Sequence, residues 1–314
     1  MIRSFVHRML GPSPKNDCQL PRDISEVGLR RELLHSHQMM LSARIMVDMI
    51  HQKQDISSFR DVEFKCFSQF GDDGIIQYLI QRLKITERTF VEFGVEDYTE
   101  ANTRFLLMND NWRGLILDGS YENMDRVRSS EIYWKHNLTV VPAFIDTQNI
   151  NSLIEKAGFS GEIGILSVDI DGNDYWVWEA INIVNPVVVI VEYNSVLGKK
   201  RPISIPYDPM FVRSQAHFSH LYWGASIPAF CHLANQKGYA FAGCNSAGNN
   251  AYFVQRDRLQ GLQEYSPDEG FVESKFRESR SSGGEFSFLS GEARLKLIRR
   301  LPVINVTTGS EECI

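Results

Sequence analysis

Five carboxylates recur at nearly even intervals through the middle of this 314-residue chain: Glu92, Asp118, Asp146, Asp169 and Glu192. Each closes, or nearly closes, a short apolar run, and more polar residues crowd around three of them. Glu96 and Asp97 follow the first; Asp171 and Asp174 follow the fourth within Asp169-Ile-Asp-Gly-Asn-Asp174; Asn194 follows the fifth. Side chains of this type can accept a pair of hydroxyls, hold a hard cation, or take the proton of a hydroxyl nucleophile. Gathered on one rim, they would repel one another unless a ligand, a cation or hydrogen-bond donors offset their charge. A nucleoside is one such ligand. Asp118 is expected to accept the ribose hydroxyls, Asp146 the adenine amino group, and Gly94 to let the backbone approach the ligand where a side chain would block it. Each acid has a plainer use as the cap of the helix that follows it.

Other residue types suit the second substrate. His217 and His220 are candidate general bases because histidine titrates near neutrality, and Asp171 is an equal candidate. Asp174, Glu192 and Asn194 lie on the same side. Lys200 and Arg201, within Lys199-Lys200-Arg201, are placed to meet a phosphate, and Tyr207, Phe211, Tyr222 and Trp223 offer faces for sugar stacking. An alternative use of the acids is a divalent cation such as Mg²⁺ on Asp171, Glu192 and Asn194, all hard oxygen donors.

Chemistry of this kind needs elements that deliver those residues to one edge. The sequence supplies a regular alternation. Strands are predicted over 89–94, 114–118, 138–143, 163–169 and 186–192, and helices over 75–83, 99–109, 121–130, 150–157 and 174–183. Runs such as Val-Val-Val-Ile-Val are near-continuously apolar, as strands covered by helices on both faces are. Alternation of this type predicts an α/β, doubly wound, mostly parallel sheet, with ligands outside the carboxyl ends of its strands. An aperiodic loop over 194–223, a helix over 225–237 and two strands over 239–244 and 251–254 follow. A terminal antiparallel strand would separate a class I methyltransferase-like sheet from a dinucleotide-binding one. Residues 1–22 read as an irregular lead-in, and 25–52 as an amphipathic helical stretch that could pack on the core or join two copies in a homodimer.

Composition narrows the partners. A net charge of −6 and a pI near 5.8 argue against nucleic acid as the main partner. Five scattered cysteines without a CxxC pair read as reduced thiols, and no run approaches a membrane span, so a soluble, cytoplasmic protein is expected. The turn after the first strand, Gly94-Val-Glu-Asp-Tyr-Thr, has one glycine and lacks GxGxxG. No GxxxxGK[ST] occurs either, which argues against a nicotinamide dinucleotide and against an NTPase. S-Adenosylmethionine has no pyrophosphate and carries a sulfonium cation, and so suits a single-glycine turn beside an acidic rim.

The segments SQFGDDGIIQYL, FVEFGVEDYTEANTRFLL, NWRGLILDGS and LSVDIDGNDYWVWEAI, in that order, resemble the FkbM-type S-adenosylmethionine-dependent methyltransferases. The resemblance covers roughly residues 66–255. It implies O-methyl transfer to a sugar, glycan or glycan precursor, with a role in polysaccharide biosynthesis. By resemblance, Glu92 and Gly94 line the methionine half of the cofactor, Asp118 the ribose, Asp146 the adenine side, and Asp169 the sulfonium. Ser68 and Gln69 match the polar pair that precedes the cofactor domain. The organisation expected is an N-terminal helical extension over 1–65, the cofactor-binding domain over 66–255, and a C-terminal extension over 256–314 packed on that domain. Glu96 and Tyr98 depart from the pattern, standing where relatives carry glycines. Side chains there would narrow the methionine pocket. Two rivals stand beside the leading reading: a divalent-cation-dependent O-methyltransferase of small molecules and, motivated by Glu96 and Tyr98, a non-catalytic module that keeps the fold to sense the cofactor or bind a partner.

Overall fold

The computed structural model describes residues 22–314, with side chains described from residue 34 onward. Residues 1–21, which hold Cys18 and all but the last residue of the predicted lead-in, lie outside the described residues. The chain resolves into two units, residues 1–42 and 43–314. One continuous helix, α1 (Arg22–Gln52), realises the predicted helical stretch. On it Leu41, Ile45 and Met49, spaced by one helical turn, are exposed together with Leu34. No helix among the described residues is long and apolar enough to cross a membrane.

In the larger unit the alternation read from the sequence is present element by element. Helix α2 (Asp72–Leu83) leads into β1 (Thr89–Phe93), then α3 (Arg104–Asp110), β2 (Arg113–Asp118), α4 (Tyr121–Arg128), the short α5 (Glu131–Lys135) and β3 (Leu138–Pro142). Next come α6 (Ile150–Lys156), β4 (Gly161–Val168), α7 (Asp174–Ala180) and β5 (Val184–Glu192). The loop over 194–223 carries β6 (Ile203–Ser204) and one turn of helix, α8 (Arg213–Ala216). It is followed by α9 (Ile227–Gln236), β7 (Tyr239–Cys244) and β8 (Asn250–Gln255). The chain closes with α10 (Pro267–Gly270), α11 (Glu292–Ile298), β9 (Pro302–Asn305) and β10 (Ser310–Cys313).

Seven strands form the main sheet in the order β3-β2-β1-β4-β5-β8-β7. Strands β1 to β5 are mutually parallel, and β8 runs antiparallel to both β5 and β7. The order reverses beside β1, so the carboxyl ends of β1 and β4 flank the crevice where such sheets bind ligands. Alternate side chains of each central strand feed two cores. Val91, Leu115, Leu166 and Val189 pack with α6, α7 and α9 on one face. Phe90, Ile116, Ile165 and Val188 pack with α2, α3 and α4 on the other. Burial on both faces accounts for the unbroken apolar runs. With its terminal antiparallel strand, this is the doubly wound, class I methyltransferase-like α/β fold expected from the sequence.

Two regions differ from expectation. The helix predicted from Thr99 begins only at Arg104, because residues 99–103 are held in a turn described below. The aperiodic loop over 194–223 is also more ordered than its sequence suggests. Its β6 joins β9 and β10 in a second, antiparallel sheet, closed over Leu197, Ile203, Leu221, Ile298 and Val303.

Candidate functional site

The five acidic strand ends share one edge of the main sheet, and each carboxylate has a distinct set of partners. Glu92, at the end of β1, is buried. Its Oε1 accepts from the Asn102 N–H (2.8 Å), and its Oε2 from the Thr103 N–H (3.1 Å) and hydroxyl (2.5 Å). Those donors belong to the turn entering α3, so this carboxylate satisfies groups at a helix start. Burial pushes its pKa from 4.5 to about 7.

The turn after β1 is built by conformations that usually call for glycine. Gly94 has φ +70°, and a Cβ on it would lie 1.5 Å from the Asp169 carbonyl oxygen. Glycine is required here by the close approach of β1 to the end of β4. Glu96 and Tyr98 also take left-handed φ values, 49° and 60°. Neither side chain is buried in the crevice. The Tyr98 ring is buried in the core cluster shared with α2 and α3, its hydroxyl 3.0 Å from that of Thr103. Glu96 is exposed and its backbone N–H donates to Asp118.

Asp118 ends β2, half-buried, where burial raises its pKa. Its Oδ2 accepts from the Glu96 N–H (2.8 Å) and its Oδ1 from the Ser120 N–H (2.7 Å). One bond to each oxygen orients the carboxylate and leaves each a further lone pair. Ser120 itself caps α4 through its hydroxyl, so the capping role open to Asp118 falls to its neighbour. Across from it Phe144, 52% exposed, lies beside Gly119, where an added Cβ would come within 3.4 Å of the ring. An exposed phenylalanine at this strand end is a ready face for a base, and sequence reasoning missed it because it continues an apolar run. Asp146 is bound on one oxygen only, with Oδ1 accepting from the Gln148 (2.8 Å) and Asn149 (2.7 Å) N–H groups.

The ends of β4 and β5 bring Asp169, Asp171 and Glu192 together, one carboxylate oxygen from each lying within 4.8 Å of the others. Burial, and then their mutual repulsion, raises the pKa of Asp169 and Glu192 well above the ordinary carboxylate range. The Glu192 Oε2 is buried without a hydrogen-bond partner. Asp174 is turned away from this cluster. Its oxygens accept from the Ile170 (2.8 Å) and Gly172 (2.9 Å) N–H groups, and burial raises its pKa to about 6. The Asn194 amide is likewise engaged, donating to the Leu221 and Trp223 carbonyls (both 2.9 Å) and accepting from the Val196 N–H (3.0 Å).

The cation facing this cluster is Arg213 on α8, a residue sequence reasoning did not single out. It is buried, donates to Asp171 (2.7 Å), pairs with Glu278 and lies over the Trp223 ring at 4.3 Å. Its Nε donates to the His220 carbonyl (3.0 Å). No spacing rule signals it, since its partners come from the turn after β4, the 220–223 loop and the C-terminal segment. The same loop crosses the rim elsewhere: the Asp208 carbonyl accepts from Asn173 (2.7 Å), and the Tyr207 hydroxyl accepts from the Thr147 N–H (3.2 Å).

The remaining predicted residues are placed as follows. His217 has its Nδ1 2.7 Å from the Ser219 hydroxyl and its ring against Phe218. His220 feels the charges of Arg280, Arg213, Glu278 and Asp171, and burial lowers the pKa of both histidines. Lys200 is bound to Asp268 (3.0 Å) and Arg201 to Glu312 and the Cys313 carbonyl, so both reach the C-terminal segment. Gln69 is exposed and accepts from Asn249 (3.3 Å), while Ser68 is buried and donates to Asp73 (2.8 Å).

No family model matches the chain, and no curated protein matches it. Solved structures are similar at a distance. An O-methyltransferase from Bacillus cereus in complex with SAH is 15% identical with a TM-score of 0.38, covering 69% of this chain and 89% of that one. The N-terminal domain of EvdMO1 with SAH bound is 11% identical with a TM-score of 0.36, covering 69% and 94%. The DszA carbon methyltransferase is 12% identical with a TM-score of 0.37, covering 59% and 53%. Likenesses this remote carry no argument about the reaction, which has to rest on the residues.

Proposed function

We propose that the chain transfers a methyl group from S-adenosylmethionine to a hydroxyl of a sugar, glycan or glycan precursor. The observation that carries this reading is the Asp118 carboxylate at the switch-point side of the sheet. It is oriented by two backbone donors, has acceptor capacity to spare, and stands beside the exposed Phe144 ring. A ribose diol on Asp118, an adenine against Phe144 with its amino group toward Asp146, and a sulfonium drawn to the acidic ends of β1 and β4 use each feature once. The inward position of the Tyr98 ring removes the main motive for a non-catalytic module.

Methyl transfer breaks the sulfonium S–CH₃ bond, forms an O–CH₃ bond and releases neutral S-adenosylhomocysteine. The hydroxyl proton must go to a base, and otherwise the step is one of alignment. Asp171, held by Arg213, is the proton acceptor at hand in this group, with His220 beside it. Arg213 fixes Asp171 and limits the repulsion within the group.

A divalent cation is a second reading of that cluster, favoured by the partnerless buried Oε2 of Glu192. The donor set fits Mg²⁺, being oxygen throughout. Asp169, Asp171 and Glu192 would hold the ion, with Asn194 excluded by its bonds to the Leu221 and Trp223 carbonyls. Bound there, such an ion would lower the pKa of an acceptor hydroxyl.

The exposed apolar side of α1 suits pairing of two copies through these helices. The reaction itself is tested by thermal shift with S-adenosylhomocysteine, with and without Mg²⁺, and with NAD. Stabilisation by the first alone or with Mg²⁺ supports methyl transfer. Stabilisation by NAD alone, or by none of them, rejects it.

A further inference from the structure

A concavity of about 220 Å³ lies at the opposite edge of the main sheet from the acidic rim. It opens between the end of α1, α2 and the segments that enter β1 and β2. The five residues of β1 separate the two edges, roughly 17 Å at the usual rise of a strand. A molecule held there takes no part in chemistry at the rim. The volume is below the roughly 300–1,000 Å³ of drug-sized sites and suits a ligand the size of one amino acid.

Two chain reversals build its wall. Helix α2 ends at Lys84 and α3 at Asn111, both in the left-handed conformation with φ 52° and 54°. After them the chain turns back along the sheet edge, and Ile85 and Trp112 join Ile80 of α2 as the apolar side of the concavity. Asp110, half-buried at the end of α3, supplies an anion. Its Oδ2 accepts from the Gln77 amide (2.6 Å) and its Oδ1 from the Asn109 amide (2.9 Å). Asn109 is held in turn by the Arg44 Nε, which donates to its Oδ1 (2.8 Å). The carboxylate is therefore aimed without a ligand, and with one bond to each oxygen it keeps a further lone pair on both.

Arg88 supplies a cation on the same wall. It is exposed, and its guanidinium makes no hydrogen bond or ion pair among the described residues. The acid next to it in the chain, Glu87, is spent on Arg258 (2.9 Å). Burial raises the Asp110 pKa; the bonds from Gln77 and Asn109 oppose that, and Arg88 does so through its charge across the gap. Opposite charges that face one concavity without bonding each other leave a space that a zwitterion closes.

We infer that this concavity binds an α-amino acid with an apolar side chain. Its ammonium lies on Asp110, its carboxylate on Arg88, and its side chain against Ile80, Ile85 and Trp112. A simple amine would leave Arg88 unused, and a simple carboxylate would meet Asp110 with no charge of its own to offset it. A wholly apolar ligand would strip water from both charges and return nothing. The inference uses no residue of the acidic rim and stands whether or not the chain transfers methyl groups.

Isothermal titration calorimetry on the full chain tests it, with L-leucine, L-methionine, L-phenylalanine and L-valine as probes and glycine as the control for the side chain. Each probe is paired with its amide, which lacks the carboxylate, and with its deaminated acid, which lacks the ammonium. At least one of the four amino acids is expected to bind, and glycine much more weakly. Either analogue of that amino acid should bind about tenfold more weakly or worse, the loss of one charge-assisted hydrogen bond. Asp110→Asn and Arg88→Gln should each weaken the amino acid to the same degree. Arg88 is exposed, so its variant covers the case in which Asp110→Asn does not fold. No binding of any of the four at millimolar concentration, glycine or an analogue binding as tightly, or an affinity unchanged in Arg88→Gln overturns the inference.

Discussion

Residue by residue, the acidic rim divides into carboxylates that build the structure and carboxylates left for ligands. Glu92 and Asp174 are spent on backbone donors, whereas Asp118, Asp146 and the Asp169–Asp171–Glu192 group keep acceptor capacity. Residue types at strand ends were legible in the sequence. Which oxygens remain available was not, because their donors lie elsewhere in the chain, as the Glu96 N–H does for Asp118. Gly94 illustrates the same limit: its need is legible, but its reason is the Asp169 carbonyl of another strand. Glu96 and Tyr98 stand at left-handed positions, which cost roughly 1–2 kcal/mol for a residue with a side chain. Glu96→Gly should relieve that strain. Its effect on stability is expected between neutral and about 1 kcal/mol favourable, once glycine's freedom in the unfolded chain is counted. Tyr98→Gly empties a core position and should cost roughly 3–5 kcal/mol. Urea unfolding of both checks the contrast, and equal losses would contradict it. Glu92 makes a pH prediction. Its folded pKa, about 7, lies above the ordinary 4.5, so the folded protein holds the proton more tightly. Its contribution to stability is complete below pH 4.5 and lost as pH rises past 7, roughly 3 kcal/mol in all. Unfolding free energy should fall between pH 5 and pH 8, and Glu92→Gln should flatten that slope. An identical slope in the variant would contradict the assignment.

At the level of elements, the strands were the most legible part, because burial on both faces leaves unbroken apolar runs such as that of β5. The start of α3 was misread since Glu92 draws Asn102 and Thr103 into a turn, a pairing across ten or more residues that no local pattern reveals. The 194–223 loop was illegible for a similar reason. Its order comes from partners distant in sequence: β9 for β6, and Asp171 and Glu278 for Arg213. Arg213 is the fastener of this element. Replacing it by methionine removes the cation between two acids, a loss of roughly 3 kcal/mol by the usual cost of leaving a buried charge uncompensated. Arg213→Met should therefore melt earlier and be cut faster within 205–223 under limited proteolysis. Wild-type cleavage kinetics in that segment would show that the ion pairs do not hold the loop.

For the whole molecule, sheet order brings the acidic strand ends to one edge of the sheet, the edge we propose as the ligand-binding rim. The exposed Leu41, Ile45 and Met49 on α1 add a prediction at this scale. Sedimentation should report a dimer that Leu41→Glu with Ile45→Glu converts to a monomer; a wild-type monomer at every concentration would contradict it. The central claim, an adenosine gathered by successive strand ends, is tested most directly by a crystal structure with S-adenosylhomocysteine. The account predicts both ribose hydroxyls within hydrogen-bond distance of the Asp118 carboxylate and the adenine ring against Phe144. A nucleoside bound elsewhere, or a crevice that stays empty at saturating ligand, would contradict it.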